Sequence, residues 1–284
     1  MKTKRKPRKS NRNVRDAVIS SLLFLLAFGW ISPKVQAQST ENAFLAGEKL
    51  TYGAYYHWHL LWVNAGEVIF TTDTIQHNKN KQWHFLATGK TFKAYDLFYT
   101  VRDTFESRVN FVDFAPDYFI RKVNHGKSST LHEYTFNSDE NKISSYIKRE
   151  DAKPFRDELI WKPSTADMLS TVYAFRNYNF EQLKKGKQVN FRMLVDNKTE
   201  DLYFRYEGQE QVKTRNGRKF NCHHVVIKLL GGDFFPDGEH MDVWFTADRN
   251  RIPIKVETKI VVGSVNAILT DLEHIKYPLT SEIK

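Results

Sequence analysis

The chain of 284 residues carries 43 basic against 33 acidic side chains, 41% apolar residues and one cysteine, Cys222. A lone cysteine excludes an intramolecular disulfide, and the apolar content is too high for a disordered chain. Nine of the basic residues and one of the acidic ones fall in residues 1–37, which leaves 34 against 32, a net +2, in the remainder and excludes nucleic acid as a partner.

The N-terminal segment reads as an export signal. Lys2, Lys4, Arg5, Lys6, Arg8, Lys9, Arg12 and Arg15 stand against Asp16 alone, an apolar run follows over 17–31, and the run breaks at Ser32-Pro33-Lys34. Val35-Gln36-Ala37 then places small or β-branched residues three and one before Gln38, which suits cleavage after Ala37. The apolar run is shorter than the roughly 20 residues that a helix needs to cross the hydrocarbon, so cleavage is expected over a retained anchor. No cysteine lies there to accept a lipid, so the expected product is a soluble, unlipidated periplasmic protein with a single domain over 38–284.

From Glu48 onward, runs rich in Tyr, Phe, Val, Ile and Thr predict strands at 49–56, 67–74, 83–91, 100–110, 118–123 and 131–136. The turn clusters between them, such as Ala65-Gly66, Asn124-His125-Gly126 and Asn137-Ser138-Asp139, leave no room for crossover helices, so neighbours should pair antiparallel. After Pro163, Ser164 can cap a helix and Asp167 can complete a capping box. Met168, Leu169, Val172, Tyr173 and Arg176 follow at helical spacing, which predicts a helix over 165–175 docked on the sheet.

Strands resume at 187 and run to 272. Asn216-Gly217 marks a tight hairpin, Asp248-Arg249-Asn250 marks another, and Pro253 sits at the start of a strand, where a missing donor costs least. More than ten strands with one substantial helix predict an all-β, mainly antiparallel fold. Its large sheet is expected to curl into an open or nearly closed β-barrel, with the helix packed against the concave side.

The most unusual stretch is 52–62. Read as one extended strand, its alternation puts Tyr52, Tyr56, Trp58 and Trp62 on one face and Tyr55, His57 and His59 on the other. Aromatic rings with polar tips suit the lining of a cavity that holds an amphiphile, so these four are the candidate ligand-binding residues; core and surface positions explain them as well. His57 and His59 share the spacing that points two imidazoles the same way, but a metal would want further ligands, and no metal site is assigned.

Cys222 could be activated by His224 better than by its opposite-facing neighbour His223, although an inert buried thiol is the simpler reading. Asp233, Asp237, Glu239 and Asp242 could offer oxygens to calcium or form an ordinary solvated hairpin. Asp248 can accept backbone hydrogen bonds in its turn, and Arg251 can pair across the hairpin. Paired carboxylates, a Gly-x-Ser-x-Gly elbow, a His-Glu-x-x-His helix and a phosphate loop are all lacking, so no catalytic residue and no cofactor are assigned.

Four segments in order carry a resemblance: Gly47-Glu48-Lys49-Leu50-Thr51-Tyr52 followed by Ala65-Gly66-Glu67; Asp167-Met168-Leu169-Ser170-Thr171-Val172-Tyr173; Met241-Asp242-Val243-Trp244-Phe245-Thr246-Ala247-Asp248 with Arg251-Ile252-Pro253; and Gly263-Ser264-Val265. Together they resemble the bacterial envelope family known as domain of unknown function 3108, with a longer, more aromatic segment at 56–64 than the family's usual linker. The resemblance implies an exported β-rich domain and supplies no activity. More distantly, the strand, Asp-turn and Pro-strand hairpin is similar to periplasmic lipoprotein carriers of the LolA and LolB type, an analogy of fold that does not fix function. The resulting expectation is a non-enzymatic binding or carrier module for a lipid-like or other envelope molecule. The alternatives are a structural or assembly partner of an envelope protein and, more remotely, a hydrolase acting on envelope polymer.

Overall fold

The computed structural model describes residues 41–96, 100–150, 152–228, 240–259 and 263–284, and the export segment expected at 1–37 lies outside them. All of these residues belong to one compact unit, Gln38–Lys284. Its first half is a meander of β1 (Lys49–Trp58), β2 (Leu61–His77), β3 (Asn80–Thr91), β4 (Arg102–Asn110), β5 (Pro116–His125), β6 (Ser128–Asn137), β7 (Lys142–Arg149) and β8 (Phe155–Ile160). A two-residue strand β9 (Thr165–Ala166) leads into the helix α1 (Met168–Arg176) and a 3-10 turn at Phe180–Gln182. The second half adds β10 (Gln188–Val195), β11 (Lys198–Lys213), β12 (Lys219–Lys228), β13 (His240–Thr246), β14 (Pro253–Lys259), β15 (Ser264–Glu273) and β16 (Glu282–Ile283).

One sheet of sixteen strands results, in the order β8-β7-β6-β5-β4-β3-β2-β1-β15-β14-β13-β12-β11-β10-β9, with β16 on β12. Pairing is antiparallel except for β9 on β10. Asn216-Gly217 turns β11 into β12 with Gly217 at φ 90°, a conformation glycine adopts without strain. Pro253 opens β14 as expected.

The β-barrel expected from the strand count does not form. Among the described residues no ladder joins β8 to β9, so the strand path has two free ends and the sheet is neither closed nor strongly curled. A barrel requires its first and last strands to exchange backbone hydrogen bonds. Here one end strand is only two residues long, and the other carries Arg156, Asp157 and Glu158 at exposed positions, charges that discourage a further strand from adding to the edge. The helix correspondingly lies across the sheet, touching β3 and β4 on one side and β10 on the other.

The helix begins at Met168, three residues later than the spacing suggested. Ser164 sits at φ 60°, Thr165 and Ala166 pair with β10, and Asp167 itself is the cap. Its fully buried carboxylate accepts from Leu169 N and Ser170 N at 2.9 Å through one oxygen, and from the Ser107 and Ser170 hydroxyls at 2.8 and 2.7 Å through the other. Burial raises the Asp167 carboxyl above its ordinary pKa, against the pull of these bonds. Leu169 and Tyr173 pack with Phe44, Trp83 and Phe85, whereas Phe175 packs with Phe204, Val243 and Phe245. A third group, around Leu50, Tyr52, Phe220, Trp244 and Leu269, joins the two halves of the chain. No helix among the described residues is long and apolar enough to cross a membrane.

Candidate functional site

Between α1 and the sheet lies a cavity of about 920 Å³, at the large end of the roughly 300–1,000 Å³ typical of small-molecule sites. Its wall takes inward side chains from β2, β1, β15, β14, β13, β12, β11 and β10, eight successive neighbours in the sheet order. Strand alternation builds most of it: Phe191, Met193 and Val195 on β10, and Met241, Val243 and Phe245 on β13, each point the same way at period two. Met168, Val172 and Phe175 of the helix form the facing wall.

A smaller cavity of about 350 Å³ lies beside it, lined by Ala54, Ala65, Gly66, Ala87, Phe105 and Leu169 among others. The two share Val68, Phe70, Met168 and Val172, so these four side chains stand between them. Gly66 is required at this point, because a Cβ there would lie 2.3 Å from the Lys90 carbonyl oxygen of β3.

The Tyr52, Thr171 and Tyr173 hydroxyls and the Arg176 guanidinium, which face the larger cavity, are already engaged. The Tyr52 hydroxyl donates to the Pro253 carbonyl at 2.9 Å, the Thr72 hydroxyl donates to that of Tyr173 at 2.9 Å, and the Thr171 hydroxyl donates to the Asp167 carbonyl at 2.7 Å. Burial pushes the Tyr52 and Tyr173 phenols well above their ordinary pKa. Arg176 and Glu48 are each 1% exposed and paired through the two terminal guanidinium nitrogens, Nη1 to Oε1 and Nη2 to Oε2, the latter at 2.8 Å. Arg176 also donates to the Asn250 carbonyl through Nε at 3.2 Å and Nη2 at 3.1 Å. Burial alone would lower Arg176, but the Glu48 carboxylate outweighs it and raises the guanidinium above its usual value.

Charge collects at the mouth, where Asp196, Lys198, Glu200 and Lys228 stand. Side chains from β5, β6 and β8 hold the β10–β11 turn there. Arg121 donates to Asp196 at 2.5 Å, Asn197 N donates to the Tyr134 hydroxyl at 3.0 Å, and Asn197 Nδ2 donates to Asp157 at 3.0 Å. His132, buried beneath them, hydrogen-bonds the Tyr134 hydroxyl at 3.0 Å, and burial together with the Arg121 charge lowers its pKa to about 4.

Of the four aromatic candidates, Tyr52 lines the larger cavity, and Tyr56, Trp58 and Trp62 are not among the lining residues of either cavity. The stretch 52–62 is not one strand. It reverses at His59 and Leu60, with His59 at φ 50°, so Trp62 returns opposite His57. Trp62 therefore shares a face with His57 and Tyr55, not with Tyr52: its ring stacks on His57 at 4.1 Å and meets Tyr55 edge-on at 6.2 Å. The partly exposed Tyr56 packs its ring against Gly263, and Trp58 lies 48% exposed at the hairpin tip. His57 Nε2 hydrogen-bonds the His59 carbonyl at 2.8 Å, and among the described residues no three His, Cys, Asp or Glu are grouped to hold a metal.

Cys222 is fully buried, its thiol pushed up to about 12 by burial, while His223 hydrogen-bonds Tyr206 and His224 hydrogen-bonds Asp242 at 2.7 Å. Asp233, Asp237 and Glu239 lie outside the described residues. Asp248 accepts from Asn250 N at 3.0 Å and from the Ser281 hydroxyl at 2.7 Å, holding the β13–β14 turn, and Arg251 donates to the Arg176 carbonyl at 3.3 Å, not across its own hairpin.

A search of curated proteins returns no match. Among solved structures, the chain is similar to a beta-barrel-like protein of domain of unknown function DUF1849 from Brucella abortus, at 9% identity and a TM-score of 0.51, over 82% of this chain and 100% of that one. A candidate lipoprotein from Parabacteroides distasonis aligns at 10% identity and a TM-score of 0.33, over 83% of this chain and 100% of that one. The first likeness concerns the fold alone. The family profile described as protein of unknown function (DUF3108) matches residues 50–270, most of the chain and all three core groups in part, so the protein belongs to the DUF3108 family.

Proposed function

We propose that the protein is a non-enzymatic carrier or binding module of the bacterial envelope, exported through cleavage after Ala37, which holds the apolar part of a lipid-like molecule between α1 and the sheet. The observation that carries this reading is the cavity of about 920 Å³, whose wall is mostly aliphatic and aromatic, with its charged side chains gathered at the mouth apart from the paired Arg176. Burying acyl carbon there gains about 0.8 kcal/mol per methylene, and the charged mouth keeps a polar head in water. Tyr52, Tyr173 and Arg176 are committed to partners in the protein, which leaves them to shape the cavity and not to attack a bound molecule. Tyr52 remains the aromatic candidate with a binding role.

Native mass spectrometry of protein purified from a periplasmic extract tests the proposal. A second species is expected, heavier by one lipid-sized mass and reduced to the bare chain by organic extraction. A bare chain throughout that also takes up no dansylated fatty acid on titration would refute it.

A further inference from the structure

Among the described residues eight large apolar side chains stand exposed, and five of them, Trp58, Leu60, Leu61, Phe92 and Val265, gather at one end of the sheet. Leu60 and Leu61, 98% and 53% exposed, form the apex of the β1–β2 hairpin, with Trp58 just behind. Val265 is the ladder partner of Tyr56, and Phe92 N donates to the Ala65 carbonyl at 3.0 Å, which brings both to the same end.

The chemistry is layered. Residues 52–66 contain no Asp, Glu, Lys or Arg. Behind the apolar apex come Tyr56, Trp58 and Trp62, rings with polar tips of the kind enriched where hydrocarbon meets headgroups. Behind these, the Arg215 guanidinium lies 4.9 Å over the Trp62 ring, and exposed Lys93 follows Phe92. An apolar apex, an aromatic collar and a cationic base suit an anionic bilayer surface. An ordinary protein interface needs a patch of roughly 800 Å² on each partner, whereas this feature is a convex apex two residues wide.

We infer that the β1–β2 hairpin tip docks on an anionic lipid surface. The same hairpin supplies Ala54, Ala65 and Gly66 to the smaller cavity, so docking sets that cavity beside the leaflet. Its use as a vestibule to the larger cavity rests on the carrier reading; the docking does not.

The test is sedimentation of protein from an envelope extract with vesicles of phosphatidylethanolamine and phosphatidylglycerol, beside vesicles of phosphatidylcholine alone. Binding is expected to the anionic vesicles, to fall at least tenfold in the Leu60→Asp, Leu61→Asp double variant, and to be weaker on phosphatidylcholine. Phospholipids brominated on their acyl chains should quench the tryptophan emission, and Trp58→Phe with Trp62→Phe should remove most of that quenching while Trp83, Trp161 and Trp244 remain. Circular dichroism and the melting temperature check that the variants fold. The inference is overturned if the wild-type protein stays in the supernatant, whether or not it captures another protein, or if the double aspartate variant sediments as well as wild type. Native mass spectrometry on the same samples reads cavity loading separately, so failure of docking and failure of the carrier reading are distinguishable.

Discussion

Arg176, the last residue of the helix, and Glu48, just ahead of the first strand, form a closed ion pair in the interior although 128 positions separate them. The guanidinium also binds the Asn250 carbonyl of the β13–β14 turn and the Ala43 carbonyl at 3.4 Å. One side chain thus ties the N-terminal segment, the helix and the second half of the sheet together. Removing either partner leaves a buried charge alone, which costs about 3–5 kcal/mol. Arg176→Met and Glu48→Gln are each expected to lower unfolding free energy by that amount in urea titrations. The double variant should be less destabilised than the sum of the two, and strict additivity would show that the pair is not coupled.

Stability should fall in mild acid. His132 and His223 are both buried, and burial lowers each to about 4 in the folded protein, whereas an unfolded histidine titrates near ~6.5. The unfolded chain therefore binds protons that the folded one refuses, so stability rises with pH through this window. The contribution is fully present above about pH 6.5, is lost progressively as pH falls towards the folded value, and is constant below it, with each histidine worth on the order of 2–3 kcal/mol. Urea unfolding at about pH 7.5 and about pH 5 measures the difference. His223→Gln should remove roughly half of it, and an unchanged slope would assign the acid sensitivity elsewhere.

Filling the larger cavity separates retention from stability. Ala267, on β15, is the smallest side chain in the lining of this cavity. Ala267→Trp is expected to raise the Kd for a dansylated fatty acid at least tenfold, about 1.4 kcal/mol, with the melting temperature little changed. Equal affinity in a folded variant would place the ligand outside this cavity.

Much of the sheet was legible from its residues. β1 to β6 announced themselves by β-branched and aromatic runs between turn clusters, and Asn216-Gly217 and Pro253 marked a turn and a strand start because positive φ and a missing donor are local properties. What failed was long-range or unsignalled. The reversal at His59-Leu60 carries no Gly, Asn or Pro, so 52–62 read as one strand and Trp62 fell on the wrong face. Closure of the sheet depends on which strands end the path, and no local pattern encodes that β9 stops after two residues. Arg176 sat at helical spacing and looked like part of an amphipathic face; its partner Glu48 is too distant for periodicity to reveal. Phe191-x-Met193-x-Val195 and Met241-x-Val243-x-Phe245 did show the period-two signal of an inner wall, without any indication that they enclose a cavity.

The strand order has a temporal consequence. β1 lies between β2 and β15, with Lys49 opposite Glu273, so one side of the first strand finds its backbone partners only among the final residues of the chain. A chain delivered N-terminus first can assemble the β1 to β8 meander early, yet must hold the flank of β1 bare until the C-terminus arrives. Pairings this distant in sequence form slowly, and a bare strand flank invites association with other chains. The interval between the first strand and the last is therefore when this molecule is most vulnerable, and a chaperone that shields β1 during that interval would raise its yield without touching the finished protein.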